Sequence, residues 1–160
     1  MTNADRTSAN PSNVSLVVSK MIRARVETVF DAWTQPVHLM KWWGPSGVTC
    51  TAAEVDLRVG GRYRLANQFP DGNIVWIAGE FELIERPHRL VYSWRLEMPG
   101  PMTFEKVTVR FEAMGESTQV TVEHKRIADE PTRNVHEQGW HGCLDGLAEY
   151  LSPEATGGGK

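Results

Sequence analysis

Two periodicities divide the chain. Val14–Ile22 opens apolar and β-branched and reads as a first strand. Val26, Val29, Phe30 and Trp33 then fall at i, i+3, i+4 and i+7, one face of a short amphipathic helix. Thr34 can cap a second helix with Pro36 in its first turn, where a missing N–H costs nothing. That helix runs through Leu39 and Met40 to Trp42 and Trp43, and Gly44-Pro45 stops it. From about Ala52 to Arg126 the period becomes two. Val55, Leu57 and Val59 alternate with Glu54, Asp56 and Arg58, Gly60-Gly61 turns the chain into Arg62–Asn67, and Asp71-Gly72 marks a hairpin. Further strands are predicted at about Ile74–Glu85, Leu90–Leu96, Thr103–Glu112 and Thr118–Arg126, with turns at Pro87-His88 and at Met114-Gly115-Glu116-Ser117.

A long helix closes the pattern, from about Thr132 to Leu151, with Asp129 or Glu130 before Pro131 as its start signal. Trp140, Cys143, Leu144, Leu147, Tyr150 and Leu151 repeat with helical period, and His136 lies on the same face, one turn before Trp140. Gly139, Gly142 and Gly146 form a second stripe. Each glycine inside a helix costs about 1 kcal/mol relative to Ala, so something is expected to approach the backbone closely there. The order is strand, two short helices, six strands, long helix. It predicts an α+β fold in which one antiparallel sheet is covered on its apolar face by the C-terminal helix. A curved sheet around a single helix leaves space between them, and ligands usually occupy such space.

The 160 residues suit one domain, expected at 14–152 between polar tails at 1–13 and 153–160. A net charge of −3, with Lys and Arg scattered, gives no footprint for nucleic acid and no polybasic membrane patch. The N-terminal residues lack the apolar core of a signal peptide, and no apolar stretch is long enough to span a bilayer. Cys50 and Cys143 are far apart, each among apolar neighbours, which reads as two reduced thiols in a cytoplasmic protein. Neither a metal nor a cofactor is expected. There is no HExxH, and His136 and His141, five apart, do not converge on one helix face. Gly60-Gly61 precedes a strand rather than a phosphate-cradling helix, and no nucleophile elbow or Walker sequence occurs.

Candidate binding residues emerge from the aromatic content and from strand parity. Trp42 and Trp43 are neighbours, so on a helix they point about 100° apart. One indole can enter the core while the other closes over a cavity; a bulky core corner is the alternative. Each buried indole removes roughly 150–250 Å² from water, about 4–6 kcal/mol gross. Tyr63 and Leu65 share one parity, as do Tyr92 and Trp94 in the strand Leu90–Leu96. Val107, Val109 and Phe111 share another, and so do Val120, Val122 and His124. A register that faces both sets inward sets His124 near Val107, and Arg126 near Glu105 as a cross-strand ion pair. His124 then ends an apolar row, either as a buried histidine satisfied by a hydrogen bond or as a group facing a ligand. His136 reaches the mouth of the same space or stands solvated near the helix end. The expected site is thus Trp42, Trp43, Tyr63, Tyr92, Trp94, Val107, Val122, His124, His136 and Trp140 around a single pocket of roughly 300–1,000 Å³.

Several segments together resemble a known family: Val29-Phe30-Asp31-Ala32-Trp33-Thr34-Gln35-Pro36, Trp42-Trp43-Gly44-Pro45, Asp56-Leu57-Arg58-Val59-Gly60-Gly61-Arg62-Tyr63, Gly79-Glu80-Phe81-Glu82-Leu83-Ile84, Gln138-Gly139-Trp140 and Tyr150-Leu151. In order and spacing they are similar to the START-like, polyketide-cyclase (SRPBCC) superfamily. Within it they resemble the branch of the activator of heat-shock-protein ATPase, C-terminal-domain type. The resemblance spans about Ser15 to Leu151 and implies the helix-grip fold with a hydrophobic cavity between helix and sheet. It implies three functions among which fold does not choose: binding of a hydrophobic or aromatic small molecule, a cochaperone-like protein-interaction module, or a cyclase or lyase using acid–base groups of the cavity. The acid–base candidates are His124, Glu105 and Tyr92. The eukaryotic cochaperones use a further N-terminal domain to reach the chaperone, for which this chain is expected to have no room. The assembly state is expected to be a monomer or a homodimer.

Overall fold

Alternating burial along the strands and a stripe along the last helix give this chain one sheet and one covering layer. The structure is a computed structural model that describes residues 14–44, 47–97 and 104–152. Its elements are β1 (Val14–Ile22), α1 (Val26–Thr34), α2 (Pro36–Trp42), β2 (Thr49–Val55), β3 (Arg62–Gln68), β4 (Ile74–Glu85), β5 (Arg89–Leu96), β6 (Glu105–Met114), β7 (Ser117–Ile127) and α3 (Glu130–Tyr150). The strands form a single seven-stranded antiparallel sheet in the order β1-β7-β6-β5-β4-β3-β2. The pair α1–α2 carries the chain from β1 at one edge to β2 at the other, and a meander returns it to β7. Helix α3 then packs chiefly on β1, while α2 packs on β2. This is the helix-grip α+β arrangement. The two tails and Pro45 lie outside the described residues.

Trp140, Cys143, Leu144 and Leu147 are buried by α3 against the sheet and belong to one core with Phe30, Phe111, Leu90 and the inward valines of β6 and β7. The start of α3 is capped by Asp129, whose carboxylate accepts the Thr132 N–H at 2.9 Å. Thr34 does not cap α2. Its hydroxyl instead donates to the Phe30 carbonyl one turn back at 2.9 Å, and Gln35 takes the cap position without a side-chain bond. The alternation read through Leu57 and Val59 ends earlier, at Val55. There the Asp56 N–H bonds the Arg62 carbonyl, and the chain turns so tightly that Gly61 lies against the Asp56 carbonyl, leaving Val59 exposed.

The helical glycines have two separate uses. At Gly146 a Cβ would lie 2.9 Å from the Trp42 carbonyl, so the end of α2 crosses α3 where only a glycine fits. At Gly139 a Cβ would meet nothing within 4 Å. That position is open space, not close packing.

Gly79 lies in the middle of β4. It pairs with Tyr63 in register, and the irregularity of β4 comes later, between Phe81 and Leu83. A Cβ at Gly79 would overlap the Ser93 carbonyl oxygen and press on the Tyr63 ring at 2.7 Å. Because the first obstacle is strand backbone, Gly79→Ala is expected to lose about 2–3 kcal/mol in urea unfolding. A loss below about 0.5 kcal/mol would mean that β4 and β5 do not approach as described.

Candidate functional site

The chemistry gathers where β6 begins. Val107 pairs with His124 across β6 and β7, so both face inward, and Glu105 follows two residues away on the same side. From above, α3 lowers His136 and Trp140, one helical turn apart, onto the same spot. His124 Nε2 lies 2.6 Å from Glu105 Oε1, and His136 Nε2 lies 3.1 Å from the same oxygen. The Trp140 indole donates to His124 Nδ1 at 2.9 Å. The two imidazoles stack with centroids 4.8 Å apart and planes 21° apart, and Trp94 stands edge-on to both at 4.8 Å.

An indole N–H can only donate, so Nδ1 of His124 must accept and the ring's proton sits on Nε2. His124 therefore donates to Glu105 Oε1, and the same oxygen is placed to accept from His136 Nε2. Burial alone would raise the pKa of Glu105. The hydrogen bonds from His124 and His136, with their charges, outweigh it and hold the carboxyl below its usual range. Burial shifts His124 the other way, below the ordinary imidazole value, despite its carboxylate partner. The ion pair expected between Glu105 and Arg126 does not form. Arg126 adopts φ 66°, which breaks the strand alternation and leaves its side chain exposed, while Glu105 turns in to the histidines.

Among the described residues, Glu105, His124 and His136 are the one group whose ligand atoms converge, all within 4.8 Å of one another. Their geometry is nevertheless that of hydrogen bonds. Nε2 of His124 carries a proton, and freeing it for a metal would set an Nδ1–H against the Trp140 N–H. The donor–acceptor separation of 2.6 Å is also shorter than the roughly 3 Å between two ligands bound about 2 Å from one ion. These residues do not fit a cation.

The space under α3 is divided rather than single. A small void of about 20 Å³, lined by Trp33, Tyr63, Phe81 and Tyr92 among others, has room for about one water. A groove of about 600 Å³ opens between α3 and strands β3–β5, and Trp43, Asn67, Trp94, His136, Gly139 and Trp140 are in its walls. Trp43, Ile77 and Trp94 border both spaces and so form the partition. Of the expected residues, Trp43, Trp94, His136 and Trp140 meet at the groove, and Tyr63 and Tyr92 meet at the void. His124 sits behind Trp94 and Trp140. Trp42, Val107 and Val122 are buried in the core and border neither space.

Partners separate these groups further. The Trp42 indole donates to the Ala32 carbonyl at 2.8 Å, and Trp33 donates to the Tyr92 hydroxyl at 3.3 Å. Tyr63 donates to the Ser93 carbonyl at 2.8 Å. Burial raises both phenols well above their ordinary value, so neither is a base at neutral pH. Burial likewise pushes the Cys143 thiol up to about 12. Among the described residues, three buried side-chain polar atoms have no hydrogen-bond partner: Trp43 Nε1, Trp94 Nε1 and Asn67 Oδ1. All three residues wall the groove. Asn67 was legible in the sequence as the polar continuation of the Tyr63, Leu65 parity, and that reading passed over it.

The network makes stability depend on acid in a definite sense. Native His124 resists protonation, whereas unfolded His124 binds a proton below about 6.5, so stability falls as pH drops through that value. Glu105, held below its ordinary 4.5, adds a contribution that is present above that value and lost as pH falls through its lower native value. Urea midpoints are expected to fall from pH 7 to 5 and again below 4.5, and in His124→Asn the first fall should shrink. A wild-type midpoint constant from pH 7 to 5 would contradict the assignment.

Comparison with known proteins gives the frame. The model of the family described as Activator of Hsp90 ATPase homolog 1-like protein matches residues 23–152. No curated relative matches the chain. A protein from Chromobacterium violaceum is similar in structure, with 25% identity and a TM-score of 0.79 over 87% of this chain and 97% of that one. An AHSA1-like protein from Aeromonas hydrophila is 26% identical, with a TM-score of 0.72 over 90% and 94% of the two chains. An Hsp90 activator from Plasmodium falciparum is 26% identical, with a TM-score of 0.66 over 83% and 92%. Among the described residues, no helix is long and apolar enough to cross a membrane. With the family model covering Arg23 to Ser152 and the helix-grip fold in place, the chain belongs to the Activator of Hsp90 ATPase homolog 1-like family.

Proposed function

We propose that the chain binds a small aromatic or apolar molecule in the groove beside α3. One observation carries this reading: among the described residues, the three buried side-chain polar atoms without partners all belong to residues of the groove wall. An unsatisfied buried polar group costs about 1–3 kcal/mol, and natural interiors hold few of them. Three in one groove wall suit a partner that comes from outside and shifts the ring edges enough to reach them. The two indole N–H groups require acceptors and the Asn67 oxygen requires a donor. The ligand that fits is flat and mostly apolar, with a carbonyl-like oxygen and one N–H or O–H. The groove's volume is within the usual range for small-molecule sites.

A second reading has its own support. The Plasmodium relative is an Hsp90 activator, and β1, an edge strand, exposes Val17 and Met21 on one face. A chaperone-binding module would use such a surface rather than the groove. Stimulation of an Hsp90 ATPase that survives filling of the groove would favour this second reading.

Gly139 permits a clean test. Its Cβ position is open and borders the groove, so Gly139→Leu projects a bulky side chain into the groove from an uncrowded Cβ. The substitution is expected to abolish saturable tryptophan quenching by an aromatic ketone such as 2-naphthyl methyl ketone. Unfolding stability should rise by about 0.5–1 kcal/mol, because a helical glycine is removed. Undiminished binding in Gly139→Leu would place the ligand elsewhere, and the absence of saturable quenching in the wild type would remove the proposal.

A further inference from the structure

The two imidazoles on Glu105 are not equivalent. His124 is fully buried and both its nitrogens are engaged, one by Trp140 and one by Glu105. It cannot exchange a proton with anything outside. His136 engages only Nε2. Among the described residues its Nδ1 has no hydrogen-bond partner, it is not among the fully buried unpartnered atoms, and its ring borders the groove. With the Nε2 proton directed at the carboxylate, Nδ1 carries a lone pair accessible to solvent. A carboxylate behind an imidazole orients it, fixes its tautomer and stabilises the imidazolium formed when the ring takes a proton. A strut between helix and sheet would need one histidine; the second is the one at the groove.

We propose that Glu105 and His136 form an acid–base dyad that serves the groove and moves protons on an aromatic or apolar carbonyl compound bound there. This rests on the reading of the groove as a ligand site. His136 Nδ1 takes a proton from a carbon next to the carbonyl. The C–H electron pair becomes the C=C bond of an enolate, and the C=O pair moves onto oxygen. The indole N–H groups of Trp43 and Trp94 lack acceptors and suit that oxygen, where charge develops. The imidazolium then returns the proton to oxygen or to another carbon, completing an isomerisation that consumes no oxidant or reductant. His136 is the catalytic residue; Glu105 and His124 are positioning residues, with His124 keeping the carboxylate ionised and aimed.

The probe is 5-nitrobenzisoxazole, a planar aromatic that reports any base beside an apolar groove. The base removes its C–H proton, that pair forms the nitrile, the N–O bond breaks with its pair going to oxygen, and the ring opens to a coloured cyanophenolate. Wild-type protein is expected to accelerate this elimination with saturation. His136→Gln should lower kcat by about a hundredfold or more, the usual worth of a positioned base, while KM moves little. Glu105→Gln should also lower kcat at nearly constant KM, and Gly139→Leu should abolish saturation altogether. Gly139→Leu leaves the dyad untouched, so it keeps the test valid if His136→Gln does not fold. Saturable quenching by the probe without elimination, or elimination indifferent to His136→Gln, would overturn the dyad and leave ligand binding standing. No quenching by the probe would overturn the binding reading on which the dyad rests.

Discussion

A carboxylate set into the interior of a protein must be given hydrogen bonds or it will not remain charged, and Glu105 obtains them from two other elements. His124 comes from the neighbouring strand β7 and His136 from α3, while Trp140 of α3 locks the His124 tautomer. The helix is therefore tied to the sheet by polar groups whose geometry tolerates little sliding, in addition to the apolar row Trp140, Cys143, Leu144, Leu147. Removing one partner of a buried charged pair typically costs about 3–5 kcal/mol, because the other is left unpaired. A shift of α3 by one residue would break the His136 and Trp140 contacts together.

That anchorage explains how an open groove coexists with a packed core. Helix α3 is pinned to β1 by packing, to α2 by the close crossing at Gly146, and to β6 and β7 by the carboxylate. Toward β3–β5 it makes the ring contact of His136 with Trp94, and beyond that contact Gly139 presents bare backbone to the groove. The adjacent tryptophans divide the work. Trp42 turns into the core and satisfies its N–H on Ala32, whereas Trp43 packs at 5.5 Å from Trp140, borders the groove and leaves its N–H unpaired. The same contrast separates Trp94 from Trp33, whose indole reaches Tyr92.

Much of this was legible in the sequence because burial there is periodic. Val14–Ile22, the inward parity of β5, β6 and β7, the Val107–His124 pairing and the buried face of α3 all follow from apolar spacing. What was not legible depends on single backbone torsions and on long-range partners. The sequence pairs Glu105 with Arg126 by simple alternation, and one positive φ at Arg126 cancels it. Thr34 has the chemistry of a cap, yet a carbonyl one turn back competes successfully for its hydroxyl. The glycine stripe signalled close approach, correct at Gly146 and not at Gly139, since only the fold decides which side of the helix is covered. One expected pocket became a void and a groove because Trp43, Ile77 and Trp94 stand between them.

Two particular indole N–H groups, those of Trp43 and Trp94, await an acceptor. The chain has six tryptophans, and assigned indole N–H resonances in a ¹H–¹⁵N spectrum report each one separately. Titration with an aromatic ketone should move Trp43 and Trp94 downfield, the direction of a newly formed hydrogen bond. Trp33, Trp42 and Trp140, already bonded within the protein, should keep the shift of their existing partners. Saturable binding that leaves Trp43 and Trp94 unmoved, or that shifts Trp42 instead, would contradict the account.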